Sequence, residues 1–331
     1  MSARYKASRF IVNLRQMIAS VFVFVLAVSV IALHQRDTLR AATSDMPPPI
    51  HVDTDSLPMA MPDSLIQPLR MLVDNDLQAK LDGIVASNRT WSGLVARKKM
   101  AIGLVDMRDP FNVRFARVNG NNEMYAASLP KIAVLLATMD AVEKGEIKDT
   151  PALRQDMRLM IARSNNEAST RLIDLLGYDK ISSVLQDPQY ELYDPETGGG
   201  LWVGKRYASN GPRRGDPLKN ISHAATATQV ARYYYLLAFG KLVSFERSQE
   251  MLEILTDPEL HHKFVNTLDA IAPNADVYRK SGSWRTYHSD SALVWGSPDR
   301  RYILVSLVDD PSGEQILRNL IRRVDGMLMS E

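Results

Sequence analysis

Tyr125-Ala-Ala-Ser-Leu-Pro-Lys-Ile-Ala-Val-Leu-Leu-Ala-Thr-Met139 is the stretch from which the fold and chemistry of this 331-residue chain are read. Ser128 and Lys131 stand three apart, and on a helix that spacing puts both side chains on one face, the amine within reach of the hydroxyl. Pro130 belongs in a first turn, where its missing N–H costs nothing. The helix is therefore expected to start at or near Ser128. A hydroxyl there lies beside unpaired backbone N–H groups at the positive end of the helix dipole, able to hold a developing oxyanion. The other reading of the same residues is a serine cap in front of an apolar core helix.

The chain is 45% hydrophobic with a formal net charge of +2. That is enough for a large core, and it gives no reason to expect nucleic acid as a partner. There are no cysteines, so disulfides, thiolate metal sites and cysteine nucleophiles are excluded. At the N-terminus, Arg4, Lys6, Arg9 and Arg15 precede an apolar run, residues 17–33, with no clear small-residue cleavage site after it. This reads as a membrane anchor or signal segment over residues 1–33, the anchor being favoured, and it puts the remainder outside the cytoplasmic membrane, in the periplasm. A proline-containing linker is expected over 34–67 and one domain over 68–331.

Within that domain, apolar residues from Leu69 to Val85 recur at helical spacing, and Met100–Asp106 and Val113–Val118 read as paired strands. Residues 151–185 carry only helical signals. Residues 187–221 form a long Pro- and Gly-containing connection in which 200–204 reads as a short strand. Helices are expected over 224–237, 247–255 and 259–271, strands over 277–284, 291–295 and 302–308, and a closing helix over 313–329. Strands at both ends with helices between them give an α/β (α+β) fold: an antiparallel sheet from N- and C-terminal segments with an all-helical subdomain.

Three short motifs follow in order: Ser128-x-x-Lys131, Ser164-Asn-Asn166 and Lys280-Ser-Gly282. The set resembles the S-x-x-K, S-D-N and K-T-G motifs of class A β-lactamases and penicillin-binding proteins, over residues 68–331 in element order. Taken singly, Ser164-x-x-Glu167 is also a helix capping box, and Lys280 is also an ordinary strand residue. The resemblance implies catalytic roles for Ser128, Lys131, Ser164 and Asn166, and a substrate-binding role for Lys280, Ser281, Gly282 and Ser283. Ser128 would be the nucleophile, Lys131 its base, and Ser164 the proton relay to the leaving nitrogen. Asn166 would hydrogen-bond the substrate amide and Lys131. Lys280 with Ser281 would face the substrate carboxylate, and the backbone N–H groups of Ser128 and Ser283 would form the oxyanion hole. No cofactor or metal is implied.

Asn165 replaces the family's aspartate, and the interval from Ser128 to Ser164 is shorter than in class A enzymes. No E-x-x-x-N segment appears in 187–221, so the deacylating glutamate of β-lactamases has no counterpart by motif. Glu191 and Glu196 are the carboxylates available there. Of the histidines, His288 is placed to line a cleft, and none makes a metal-binding pattern; Trp202, Trp284 and Tyr287 are candidates to flank a substrate. The expected function is that of a serine hydrolase acting through an acyl-enzyme on Ser128, with β-lactam hydrolysis first. A D-alanyl peptidase or esterase acting on cell-wall peptides, or a non-turnover binding protein, is the alternative.

Overall fold

β1 (Met100–Asp106) is buried along its whole length, which a strand can be only when both faces of its sheet are covered. It pairs antiparallel with β2 (Arg114–Val118) on one side and with β10 (Arg301–Asp309), from the far end of the chain, on the other. β9 (Tyr287–Trp295) and β8 (Asp276–Trp284) complete a five-stranded antiparallel sheet in the order β2-β1-β10-β9-β8. This is the α+β arrangement expected, in a computed structural model that describes residues 28–32, 35 and 52–330.

Side chains alternate across the sheet with the strand period of two. Ile102, Leu104, Tyr302 and Leu304 enter a core beneath α1 (Asn75–Ala86), α2 (Arg89–Ala96), α8 (Phe264–Ile271) and α9 (Gly313–Met329). Ala101, Val105, Ile303 and Val305 enter the other core. On that side lie α3 (Lys131–Glu143), α4 (Pro151–Ala162), α5 (Asn166–Leu185), α6 (Ala227–Ala238) and α7 (Phe245–Leu255). Residues 131–142 of α3 are buried on every side, as befits a helix through the middle of a core. Burial of Ile132, Leu135 and Leu136 stabilises by about 1.5–3 kcal/mol each, which offsets the cost of carrying the amine of Lys131 in with them.

Several boundaries differ from expectation, each for a local reason. The helix expected from Leu69 is a 3-10 turn, Leu69–Leu72, followed by α1; Asp74 divides them by capping the N–H of Leu77 at 2.8 Å. The helix expected from 224 begins at Ala227, where Thr226 caps Gln229 N–H. Residues 223–225 form instead β7 (His223–Ala225), between β3 (Met124–Tyr125) and β6 (Trp202–Val203). The helix expected from 259 begins at Phe264, whose N–H donates to Asp290 at 3.0 Å while Arg279 ties down the carbonyls of Leu260 and His262. β4 (Tyr193–Asp194) and β5 (Gly199–Gly200) pair within the long connection.

The linker expected over 34–67 ends sooner. Met59 and Met61 are buried, Met59 N–H donates to Ala238 O and Trp295 Nε1 donates to Asp55 O, so the chain packs on the domain from about Val52, where the second of its two units begins. In the first unit, residues 28–32 and 35 are helical, and residues 17–27 and 33 of the expected membrane span lie outside the described residues. Among the described residues no helix is long and apolar enough to cross a membrane.

Candidate active site

Between β3 and α3 the chain makes a tight turn that presents Ser128. Ala127 takes φ +52°, a left-handed conformation that costs an L-residue with a Cβ roughly 1–2 kcal/mol. Surrounding bonds hold it there: Tyr207 OH donates to Ala127 O at 3.2 Å, Ser289 Oγ to Ala126 O at 2.8 Å, and Leu129 N–H to Ala126 O at 3.1 Å. The helix starts at Lys131, with Pro130 at its cap, three residues later than expected. The turn before it has i to i+3 bonds, Lys131 N–H donating to Ser128 O and Ile132 N–H to Leu129 O at 3.3 Å each. In that geometry residues three apart eclipse, so Ser128 and Lys131 still share a face.

Lys131 is fully buried. Its Nζ donates to Ser164 O at 2.6 Å and Asn166 Oδ1 at 2.8 Å, lies 3.4 Å from Ser164 Oγ, and sits over the Tyr207 ring, 4.4 Å from its centre. None of these partners is a carboxylate. Burial pushes its pKa down to about 7, because the charged form loses its hydration; a second cation is not needed to explain it.

Ser164 joins α4 to α5 at φ +55°. The capping reading of Ser164 is corrected here: α5 is capped by Asn165, whose side chain accepts from Ala168 N–H at 2.7 Å. Asparagine and aspartate cap equally well, which gives the family departure at Asn165 a benign cause and leaves the Ser164 hydroxyl free for other contacts. Lys280 Nζ donates to that hydroxyl at 3.0 Å and to Ser281 O at 2.8 Å. Ser164 thus stands between two buried amines. Burial, and next the charge of Lys131, hold Lys280 well below the usual lysine range. Lys280 and Ser281, expected to face a substrate carboxylate, are buried and do not line the cleft, the Lys280 amine meeting these two oxygens.

Three cations of this region, Lys263, Arg279 and Lys280, are buried together with Asp290. Arg279 grips Asp290 with two bonds, at 2.7 and 2.9 Å. Lys263 donates to Gly282 O, Ser283 Oγ and Ser289 O, fixing the strand that carries Gly282 and Ser283; burial pushes its amine down to about 8. Gly282 lies against the Ser128 turn. A Cβ there would sit 2.6 Å from Ser128 N and 2.8 Å from Leu129 N, and closer still to Ala126 O. These are backbone atoms that cannot rotate away. Gly282→Ala is accordingly expected to destabilise the fold by about 1–3 kcal/mol and to displace the turn, a loss readable by denaturant unfolding alongside labelling of Ser128.

In front of these residues opens a cleft of about 770 Å³, whose lining includes Ser128, Asn166 and Ser283. Trp284 and Tyr287 line it as anticipated. Trp202 does not, being packed on Tyr193 with its Nε1 donating to Arg214 O. His288 is also elsewhere, against Gly313. Tyr125, Tyr207 and His223 line the cleft, although nothing in their local pattern singles them out. The His223 and Tyr207 rings lie 4.3 Å apart, and His223 Nε2 is 3.0 Å from Lys205 O. Burial pushes the imidazole down to about 4, so it is neutral at pH 7.

Glu191 is exposed, 3.5 Å from Arg232, and Glu196 is exposed in the turn Pro195–Thr197. Neither lines the cleft, and among the described residues no Asp or Glu does. Among the same residues no group of three or more His, Cys, Asp or Glu is placed to hold a metal ion.

The model of the beta-lactamase enzyme family matches residues 148–328, more than half of the chain. Solved structures with a similar fold include the beta-lactamase of Sphaerobacter thermophilus, at 18% identity over 76% of this chain and 98% of that one, with a TM-score of 0.59. A beta-lactamase of Chitinophaga pinensis aligns at 15% identity over 77% and 99%, with a TM-score of 0.59. PBP-A aligns at 18% identity over 78% and 98%, with a TM-score of 0.57. No curated protein sequence matches the chain.

Proposed function

Because the chain belongs to the beta-lactamase enzyme family, we propose that it is a serine hydrolase that β-lactams acylate on Ser128. The observation that carries this is Ser128 on the wall of the open cleft with Lys131 and Lys280 buried behind it, both amines within 3.4 Å of the Ser164 hydroxyl. The neutral Lys131 amine takes the proton of Ser128 as its Oγ bonds to the lactam carbonyl carbon. The oxyanion accepts from the backbone N–H groups of Ser128 and Ser283. As the C–N bond breaks, Ser164 gives its proton to the leaving nitrogen and recovers one from the ammonium of Lys131. An ester on Ser128 remains.

A second solved structure of PBP-A, a mutant, is an acyl-enzyme complex with penicillin G, which supports penicillin as the probe. Among the described residues no carboxylate lines the cleft, which favours slow release of the ester, and so a penicillin-binding or D-alanyl peptidase role over rapid β-lactam hydrolysis. The basic flank and apolar run at the N-terminus support an extracytoplasmic, membrane-held location. The test is intact-mass measurement with benzylpenicillin followed by peptide mapping. A single adduct on the peptide containing Ser128, absent from Ser128→Ala, is expected; labelling elsewhere would refute the assignment.

A further inference from the structure

The cleft wall contains Lys205, Arg206 and Arg213, and among the described residues no Asp or Glu lines it. Arg206 is accounted for by Asp174, with which it forms an ion pair. Among the described residues neither Lys205 nor Arg213 pairs with a carboxylate. The two are joined by an antiparallel bridge, which places their side chains on the same side of the pair with Cβ atoms about 5 Å apart. Like charges directly opposite each other are destabilising, so this arrangement costs stability unless an anion stands between them. Arg213 is also held in place, Nη1 donating to Asn220 Oδ1 at 2.8 Å and Nη2 to Asn220 O. The field of the pair reaches into the cleft: after burial and its bond to Lys205, the charges of Lys131, Lys205 and Arg213 all push the His223 imidazole down.

We propose that Lys205 and Arg213 form an anion subsite that selects acyl donors carrying a carboxylate on their acyl part. The proposal rests on acylation of Ser128 as read above. The leaving nitrogen must reach Ser164, whose hydroxyl is held by Lys280 and Lys131. Lys205 and Arg213 are tied to His223 and Asn220 and make no bond to Ser164, and the group they meet is assigned to the part of the substrate that stays on Ser128. A guanidinium paired with an ammonium suits a carboxylate, which accepts from both at once.

Benzylpenicillin and its α-carboxy derivative carbenicillin differ by a single carboxylate on the acyl side chain. Second-order rates of Ser128 acylation by each, measured on the full chain, give a ratio that reports the subsite. The carbenicillin to benzylpenicillin ratio is expected to rise as salt is lowered. Lys205→Gln together with Arg213→Gln should lower it by about tenfold or more, the effect of losing one charge-assisted contact. The charge-preserving pair Lys205→Arg with Arg213→Lys should retain most of it. A ratio that responds neither to salt nor to the charge-removing substitutions would overturn the subsite while leaving acylation standing. No adduct with either penicillin would overturn both.

Discussion

Lys131→Arg is expected to lose acylation of Ser128 by about 10²–10⁴-fold, the range over which general-base catalysis acts. The amine is fully buried, with its pKa pushed down to about 7, so it is half neutral near pH 7 and neutral above it. Acylation of the native protein should therefore rise about tenfold per pH unit below 7 and level off above it. His223, pushed down to about 4, is already neutral across that window and contributes no step to the profile. Arginine has no neutral form at any accessible pH, so the variant should show neither the activity nor the rise. An arginine variant that acylates with the same profile would mean that Lys131 acts only as a charge.

Asp290→Asn is expected to cost about 3–5 kcal/mol of stability, the penalty for leaving a buried cation without its partner. The carboxylate is completely buried, bonded twice to Arg279, and also accepts from Phe264 N–H and Ser291 N–H at 3.0 Å each. Asparagine keeps the shape and loses the charge, so Arg279 would remain buried next to Lys263 and Lys280 without the carboxylate that grips it. In thermal unfolding this should lower Tm by on the order of 10 °C. A loss below about 1 kcal/mol, the range of exposed pairs, would show that the pair is not desolvated.

The elements that could be read from the sequence are those whose signal is local. The near-continuous apolar runs of β1 and β10 report a sheet covered on both faces, and the spacing of Ile316, Leu317, Leu320, Ile321, Val324 and Leu328 reports the buried side of α9. Ser128, Ser164 and Lys280 were recognisable by motif, though their convergence is a property of tertiary packing. Lys263 and Asp290 were not recognisable: their roles come from bonds to distant segments. Tyr207 and His223 lie in or just after a connection without periodicity, where side-chain direction depends on turns such as those at Gly198 and Gly211, both with positive φ. The cap at Asn165 and the packed residues Met59 and Met61 were obscured for a related reason. Serine and asparagine both cap helices, and a proline-containing stretch reads as a linker even where its methionines are buried.

The fate of the ester depends on what can activate water beside it. Hydrolysis needs a base next to the acyl carbon, and the described cleft wall offers no carboxylate, with Glu191 turned to Arg232 and Glu196 exposed elsewhere. His223 is occupied at both nitrogens, by Lys205 O at 3.0 Å and Ser222 Oγ at 3.2 Å. The most direct measurement is the lifetime of the Ser128 adduct, followed by intact mass after free benzylpenicillin is removed. The adduct should form on Ser128 and outlast its own formation many times over. Clearance as fast as formation, with hydrolysed penicillin accumulating and Ser128 regenerated, would contradict the account.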